Sequence, residues 1–157
     1  IPTFVDHWGL KAGSSLLDVG CAKGFMLHDL KQLIPGIKVR GVDISAYAIE
    51  NAIESVMGDV QVADARSLPF ADRSFDVVVS INTIHNLDID ECRIALREIE
   101  RVSRGKSFVT VDAFRTDEEK ERMFAWNLTA KTILSVDDWL ALFEDVGYTG
   151  DYYWFIP

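Results

Sequence analysis

The chain has 157 residues, 48% of them hydrophobic and 26% charged, the proportions of one globular domain with room for a real core. Its formal net charge is −9, from 16 basic and 25 acidic residues, which repels phosphate backbones and sets the expectation that nucleic acid is not the partner. No apolar run approaches the ~20 residues that cross a bilayer, so no membrane partner is expected either.

In chain order, β-rich runs alternate with helical stretches, which predicts an α/β fold: a doubly wound, mostly parallel sheet with helices on both faces. Ser15–Gly20 reads as the first strand and Gly24–Ile34 as a helix stopped by Pro35-Gly36. Lys38–Ile44 is the second strand, and Ser45 is the N-cap of a helix over Ala46–Met57. Asp59–Asp64 is the third strand, and Ser74–Asn82, with Val77-Val78-Val79 at its centre, is the fourth. Asp88–Ser103 carries Ile89, Cys92, Leu96 and Ile99 at helical spacing. Ser107–Phe114 is the fifth strand. Two helices follow, Asp117–Leu128 and Val136–Val146, the second capped by Gly147. Asp151–Ile156 is the sixth and last strand; it has no evident partner, and an incomplete sheet edge is expected there.

The most informative stretch is Leu16-Leu17-Asp18-Val19-Gly20-Cys21-Ala22-Lys23-Gly24. A hydrophobic strand runs into a small-residue turn that opens a helix, and such a turn lets a ligand approach the backbone closely. Asp43 ends the second strand, 19 residues after Gly24, where an acid accepts hydrogen bonds from both hydroxyls of a ribose. Asp64 ends the third strand and is followed by the small Ala65, which suits the edge of an adenine. Three acids thus meet at the carboxyl ends of three strands, the edge where open α/β sheets bind ligands. Asp18 also discriminates between ligands. A dinucleotide places its pyrophosphate at the first turn, where a carboxylate is unwelcome, and the GxGxxG spacing is absent. S-adenosylmethionine carries no phosphate; its ammonium and sulfonium favour a nearby acid.

On these motifs the chain resembles the class I S-adenosylmethionine-dependent methyltransferases, among them the small-molecule group. Asp18–Gly24 is similar to the family's first motif, with Ala22 in place of its middle glycine. Gly41-Val42-Asp43-Ile44-Ser45 looks like the ribose segment and Ala63-Asp64-Ala65 the adenine segment. Leu68-Pro69-Phe70 with Ser74–Val78 is similar to the family's approach to its fourth strand. The resemblance implies a Rossmann-like methyltransferase fold and S-adenosylmethionine as cofactor, with S-adenosylhomocysteine as product. It implies cofactor contacts from Asp18, Gly20, Cys21, Gly24, Asp43, Ile44, Asp64, Ala65, Ser80 and Asn82.

It also implies that the loop Ser80–Asn86 passes the methionine end of the cofactor. His85 is then a candidate general base, against the competing reading of a histidine that caps the next helix or binds backbone. Arg115–Leu134 is the expected substrate cover, and Asn86, Arg115 and Trp126 are candidate contacts to a small-molecule acceptor. No NPPY-like motif follows the fourth strand, no paired glutamates of the protein-arginine enzymes are present, and no carboxylate cluster suggests a bound metal. Cys21 and Cys92 share no metal or disulfide motif, no signal peptide opens the chain, and a cytoplasmic location is expected. Residues 1–157 read as one domain. Only 14 residues precede Ser15, so a lid supplied from outside this chain and an exposed cleft near His85 and Trp126 are expected. Two other classes stay open: a nucleotide-binding oxidoreductase of similar layout, and a binding subunit without chemistry.

Overall fold

The computed structural model describes residues 1–157. Its elements in chain order are α1 (Pro2–Trp8), β1 (Ser15–Val19), α2 (Phe25–Leu33), β2 (Lys38–Asp43), α3 (Ala46–Glu50), β3 (Val60–Val62), β4 (Val77–Ile81), α4 (Ile89–Val102), β5 (Ser107–Phe114), α5 (Asp117–Trp126), β6 (Leu134–Ser135), α6 (Val136–Val146) and β7 (Asp151–Phe155). The sheet runs β3-β2-β1-β4-β5, with β6 and β7 both paired to β5, and every pairing is parallel. This is the doubly wound layout that the alternating pattern predicts.

Strand periodicity explains why helices cover both faces. Leu17, Val19, Val78, Val109 and Val111 point to one side and pack with Cys92, Leu96 and Ile99 of α4 and Trp139 and Phe143 of α6. Leu16, Val39, Val77 and Val79 point to the other and pack with Trp8 of α1 and Leu27 and Leu30 of α2. The central strands β1 and β4 are buried on both faces, so they read as continuous apolar runs rather than as alternation.

Three expectations need correction, and one helix, α1, had no sequence expectation. The sheet has seven strands, not six: Leu134–Ser135 pairs with Ala113 and Phe114, and two residues are too few to leave a periodic signal. Asp151–Phe155 does have a partner, pairing with Phe108–Asp112 of β5, while its outer edge carries no strand. The predicted helix Ala46–Met57 ends at Glu50, where the Asn51 side chain donates to the Tyr47 carbonyl; a single 3₁₀ turn, Glu54–Val56, follows. Residues ahead of Ser15 form α1, whose Phe4 and Trp8 rings pack on Phe108 of β5, away from the sheet's ligand-binding edge. No helix is long and apolar enough to cross a membrane.

Candidate functional site

A cavity of about 510 Å³ opens at the carboxyl ends of β1, β2 and β4 and of the segment after β3. That volume lies within the roughly 300–1,000 Å³ of small-molecule sites. Its apolar wall includes Val19, Val42, Ala63, Ile81 and Leu87; its polar groups come from Asp43, Asp64, Arg66, Asn82, Thr83 and Asn86.

The turn after β1 is built to keep the chain out of this space. Gly20 has φ +88°, and a Cβ there would sit 2.1 Å from Thr83 Oγ1, so no larger residue fits without a shift. The Gly20 and Cys21 amides both donate to the Val42 carbonyl, at 2.8 and 3.0 Å, which ties the turn to β2. Ala22 adopts φ +49°, and its amide donates to Asp43 Oδ2 at 2.8 Å. Asp43 Oδ1 accepts the Ser45 amide at 2.9 Å. Each Asp43 oxygen is therefore held by one backbone N–H and keeps one acceptor site for a ligand.

At the other end, Asp64 is engaged by Arg66. The Arg66 amide donates to Oδ1 at 2.9 Å, Nε is shared between the two oxygens at 3.0 and 3.1 Å, and Nη2 donates to Oδ2 at 2.6 Å. These bonds, from the side chain first, hold the Asp64 carboxyl below its ordinary range. Asn82, at φ +52°, is pinned to β5: its amide donates to Thr110 Oγ1 and its Oδ1 accepts the Thr110 hydroxyl, both at 2.9 Å. Asn86 Nδ2 donates to the Asn82 carbonyl at 3.3 Å, which leaves its Oδ1 buried without a partner beside the cavity. A buried acceptor without a donor is a cost that a bound N–H or O–H would remove.

Of the residues the sequence singles out, Gly20, Asp43, Ile44, Asp64, Ala65, Asn82 and Asn86 line the cavity together. The others do not, for identifiable reasons. Asp18 sits in β1 with 5% of its surface exposed; burial, then the Asp43 charge, pushes its carboxyl up to about 7. The Cys21 thiol packs against Gly41, where a Cβ would lie 2.7 Å from its sulfur. Gly24 opens α2 at φ +81° and makes room for Val56. The Ser80 hydroxyl donates to the Val19 carbonyl at 2.9 Å and joins β4 to β1.

His85 is the main correction. It is 4% exposed, and its Nδ1 accepts the Asp112 amide at 2.9 Å, so the neutral ring carries its proton on Nε2 and faces β5 rather than the cavity. Burial favours the uncharged forms of both His85 and Asp112, lowering the one and raising the other. The competing reading, a histidine bound to backbone, is the one the geometry matches. Arg115 is exposed, and its amide donates to Glu119 Oε2. Trp126 is 53% exposed and lies on Phe155 at 4.8 Å between ring centres, while Met123 alone carries α5 into the core. The open cleft thus lies at Asp43 and Asn86, not at His85 and Trp126. Sequence reasoning missed Arg66 and Thr83; the short spacing of Arg66 from Asp64 was the one available signal.

A family model described as a methyltransferase domain matches residues 17–111. The chain is similar to the O-methyltransferase resE of Aspergillus sclerotiorum, 33% identical over 107 residues, covering 64% of this chain and 39% of that protein. It is also similar to a protein of Bos taurus named probable tRNA methyltransferase 9B, 33% identical over 124 residues, covering 74% of this chain and 26% of that protein. The chain thus spans well under half of either relative. The solved YcgJ protein of Bacillus subtilis superposes with a TM-score of 0.72 at 22% identity, covering 92% of this chain and 66% of that one, and shows the same fold. The tRNA methyltransferase relative overturns the exclusion of nucleic acid: a net charge averages over the whole surface, whereas a partner is met by a local patch.

Proposed function

Because the chain belongs to the methyltransferase domain family, we propose that it binds S-adenosylmethionine in the cavity at the carboxyl edge of the sheet and transfers a methyl group to a small-molecule acceptor. The observation that carries this reading is Asp43. Its two oxygens are fixed by the Ala22 and Ser45 amides and keep one acceptor site each, which suits two adjacent ribose hydroxyls. Three further features support it. The cavity has the size for one such ligand, the Asn86 Oδ1 lacks a donor, and the Gly20, Cys21 and Ala22 amides of the first turn are engaged within the chain rather than turned to a pyrophosphate.

When bound, the cofactor supplies an electrophilic methyl group on a sulfonium. The chain's own residues then bind and align. Asp43 would hold the ribose, Ala63, Asp64 and Ala65 would meet the base, and Asn82, Thr83 and Asn86 would meet the methionine end. With His85 withdrawn toward β5, the proposal includes no histidine base, and the protein contributes alignment and exclusion of water. A small acceptor suits a rim on which Asp43 and Asp64 outnumber Arg66. The two cysteines are buried and unpaired, which fits a reducing compartment such as the cytoplasm.

The test is mass spectrometry of reactions containing S-adenosylmethionine and either a metabolite extract or total tRNA. A gain of one methyl on a small molecule supports the proposal. Methylation confined to tRNA refutes the acceptor class and leaves the cofactor reading standing.

A further inference from the structure

We propose that Thr132 is a positioning residue of the cavity: from the segment between α5 and β6 it clamps the turn after β4, and so holds the Asn86 side chain where it meets the amino-acid end of the ligand. The inference rests on the reading of the cavity as an adenosyl site and adds to it a residue that does not line the cavity.

Ile84–Asn86 is a single 3₁₀ turn, closed from within by the Asn86 amide on the Thr83 carbonyl and the Leu87 amide on the Ile84 carbonyl, at 3.0 and 3.1 Å. One turn of this kind is a weak element by itself. Its remaining carbonyls are taken by a segment 45 residues further along the chain. The Lys131 and Thr132 amides both donate to the His85 carbonyl, at 2.9 and 3.0 Å, and fill its two lone pairs. The Thr132 hydroxyl donates to the Leu87 carbonyl at 2.6 Å; the Cys92 thiol, a weak donor, lies 3.4 Å from the same oxygen. Residues 85 and 87 are thus fixed from outside, and Asn86 lies between them on the cavity wall. Little else holds the Asn86 side chain: Nδ2 reaches the Asn82 carbonyl at 3.3 Å, and Oδ1 has no partner. Where that unpaired acceptor points follows from the backbone, and the backbone follows from the clamp. Thr132 is itself firmly placed. It is buried, the Asn127 side chain ties the preceding turn to Thr129 and Ala130, and Leu134 and Ser135 pair with β5 just after it. Since Thr132 does not line the cavity, its effect on the ligand passes through Asn86.

Thr132→Val nearly keeps the shape of the side chain and loses its hydroxyl, whereas Thr132→Ser keeps the hydroxyl. The experiment measures, by calorimetry, binding of S-adenosylhomocysteine and of adenosine, which lacks the amino-acid end. The proteins are the wild-type chain, the two Thr132 variants, Asn86→Ala, and Asn86→Ala combined with Thr132→Val. Thr132→Val is expected to weaken S-adenosylhomocysteine binding by about fivefold, and Thr132→Ser to stay within about twofold of the wild type. Adenosine affinity stays within about twofold in every variant, which also shows that each is folded. In the Asn86→Ala background, Thr132→Val changes S-adenosylhomocysteine binding by less than about twofold, because the residue through which it acts is gone. Unchanged S-adenosylhomocysteine affinity in Thr132→Val overturns the role of Thr132. So does an equal loss for both ligands, or a loss that persists undiminished without the Asn86 side chain. Failure of the wild-type chain to bind either ligand overturns the adenosyl reading on which the inference rests.

Discussion

Replacing Gly20 by alanine tests the architecture of the cavity at its tightest point. The residue has φ +88°, and a left-handed conformation costs an L-residue roughly 1–2 kcal/mol. The added methyl would meet Thr83 Oγ1 at 2.1 Å, Cγ2 at 2.5 Å and Cβ at 2.7 Å, all closer than real contacts, and overpacking of this kind costs about 1–3 kcal/mol. Gly20→Ala should therefore lose about 2–5 kcal/mol of stability in urea unfolding with an unchanged slope, and should lose ligand binding because Thr83 moves into the cavity. Thr83→Ala alone gives up the hydroxyl's bond to the Ile81 carbonyl, about 1 kcal/mol. In the double variant the two nearest atoms are gone, so it should be about 1 kcal/mol more stable than the sum of the single losses, with the φ penalty still in place. A Gly20→Ala variant within about 0.5 kcal/mol of the wild type, with additive behaviour in the double variant, would refute the reasoning.

Burial followed by Asp43 pushes Asp18 up to about 7, so between pH ~4 and ~7 the folded state holds a proton that the unfolded chain releases. Stability should fall as pH rises through that window, by at most about 4 kcal/mol, and Asp18→Asn should flatten the profile measured by urea unfolding; an unaltered slope would count against it. Asp43→Ala removes the acceptor for both ribose hydroxyls and should weaken S-adenosylhomocysteine binding by at least about tenfold in calorimetry, whereas equal affinity would make Asp43 a loop residue only. His85→Phe leaves the buried Asp112 amide without an acceptor and should cost about 1–3 kcal/mol in thermal unfolding. The same variant should show the wild-type dependence of kcat on pH; loss of an ionisation from that profile would restore His85 as a base.

Local chemistry was legible wherever it decided the structure. Val136–Val146 was bounded in advance because Gly147 closes it in the left-handed conformation, with Ser135 accepting the Asp138 amide at its start. Ser107–Phe114 was bounded by its run of β-branched and aromatic residues. Helix α1 carried its own signals, Pro2 at the first turn and Gly9 just past the end, and seven residues were too few for periodicity to draw attention to them. In the site, Gly20, Asp43 and Asp64 could be read because strand ends converge whatever the side chains do. The direction of His85 could not be read, since a single 3₁₀ turn after β4 decides whether that ring meets the cavity or the Asp112 amide. The ion pair of Arg66 with Glu91 was also invisible, because its two ends lie on different segments and no local pattern links them.

The most direct measurement is calorimetric titration of the chain with S-adenosylhomocysteine and, separately, with NADH. The account predicts one site for the first ligand, abolished by Gly20→Ala and weakened by Asp43→Ala, and no binding of the second. Tight binding of NADH, with none of S-adenosylhomocysteine, would contradict it.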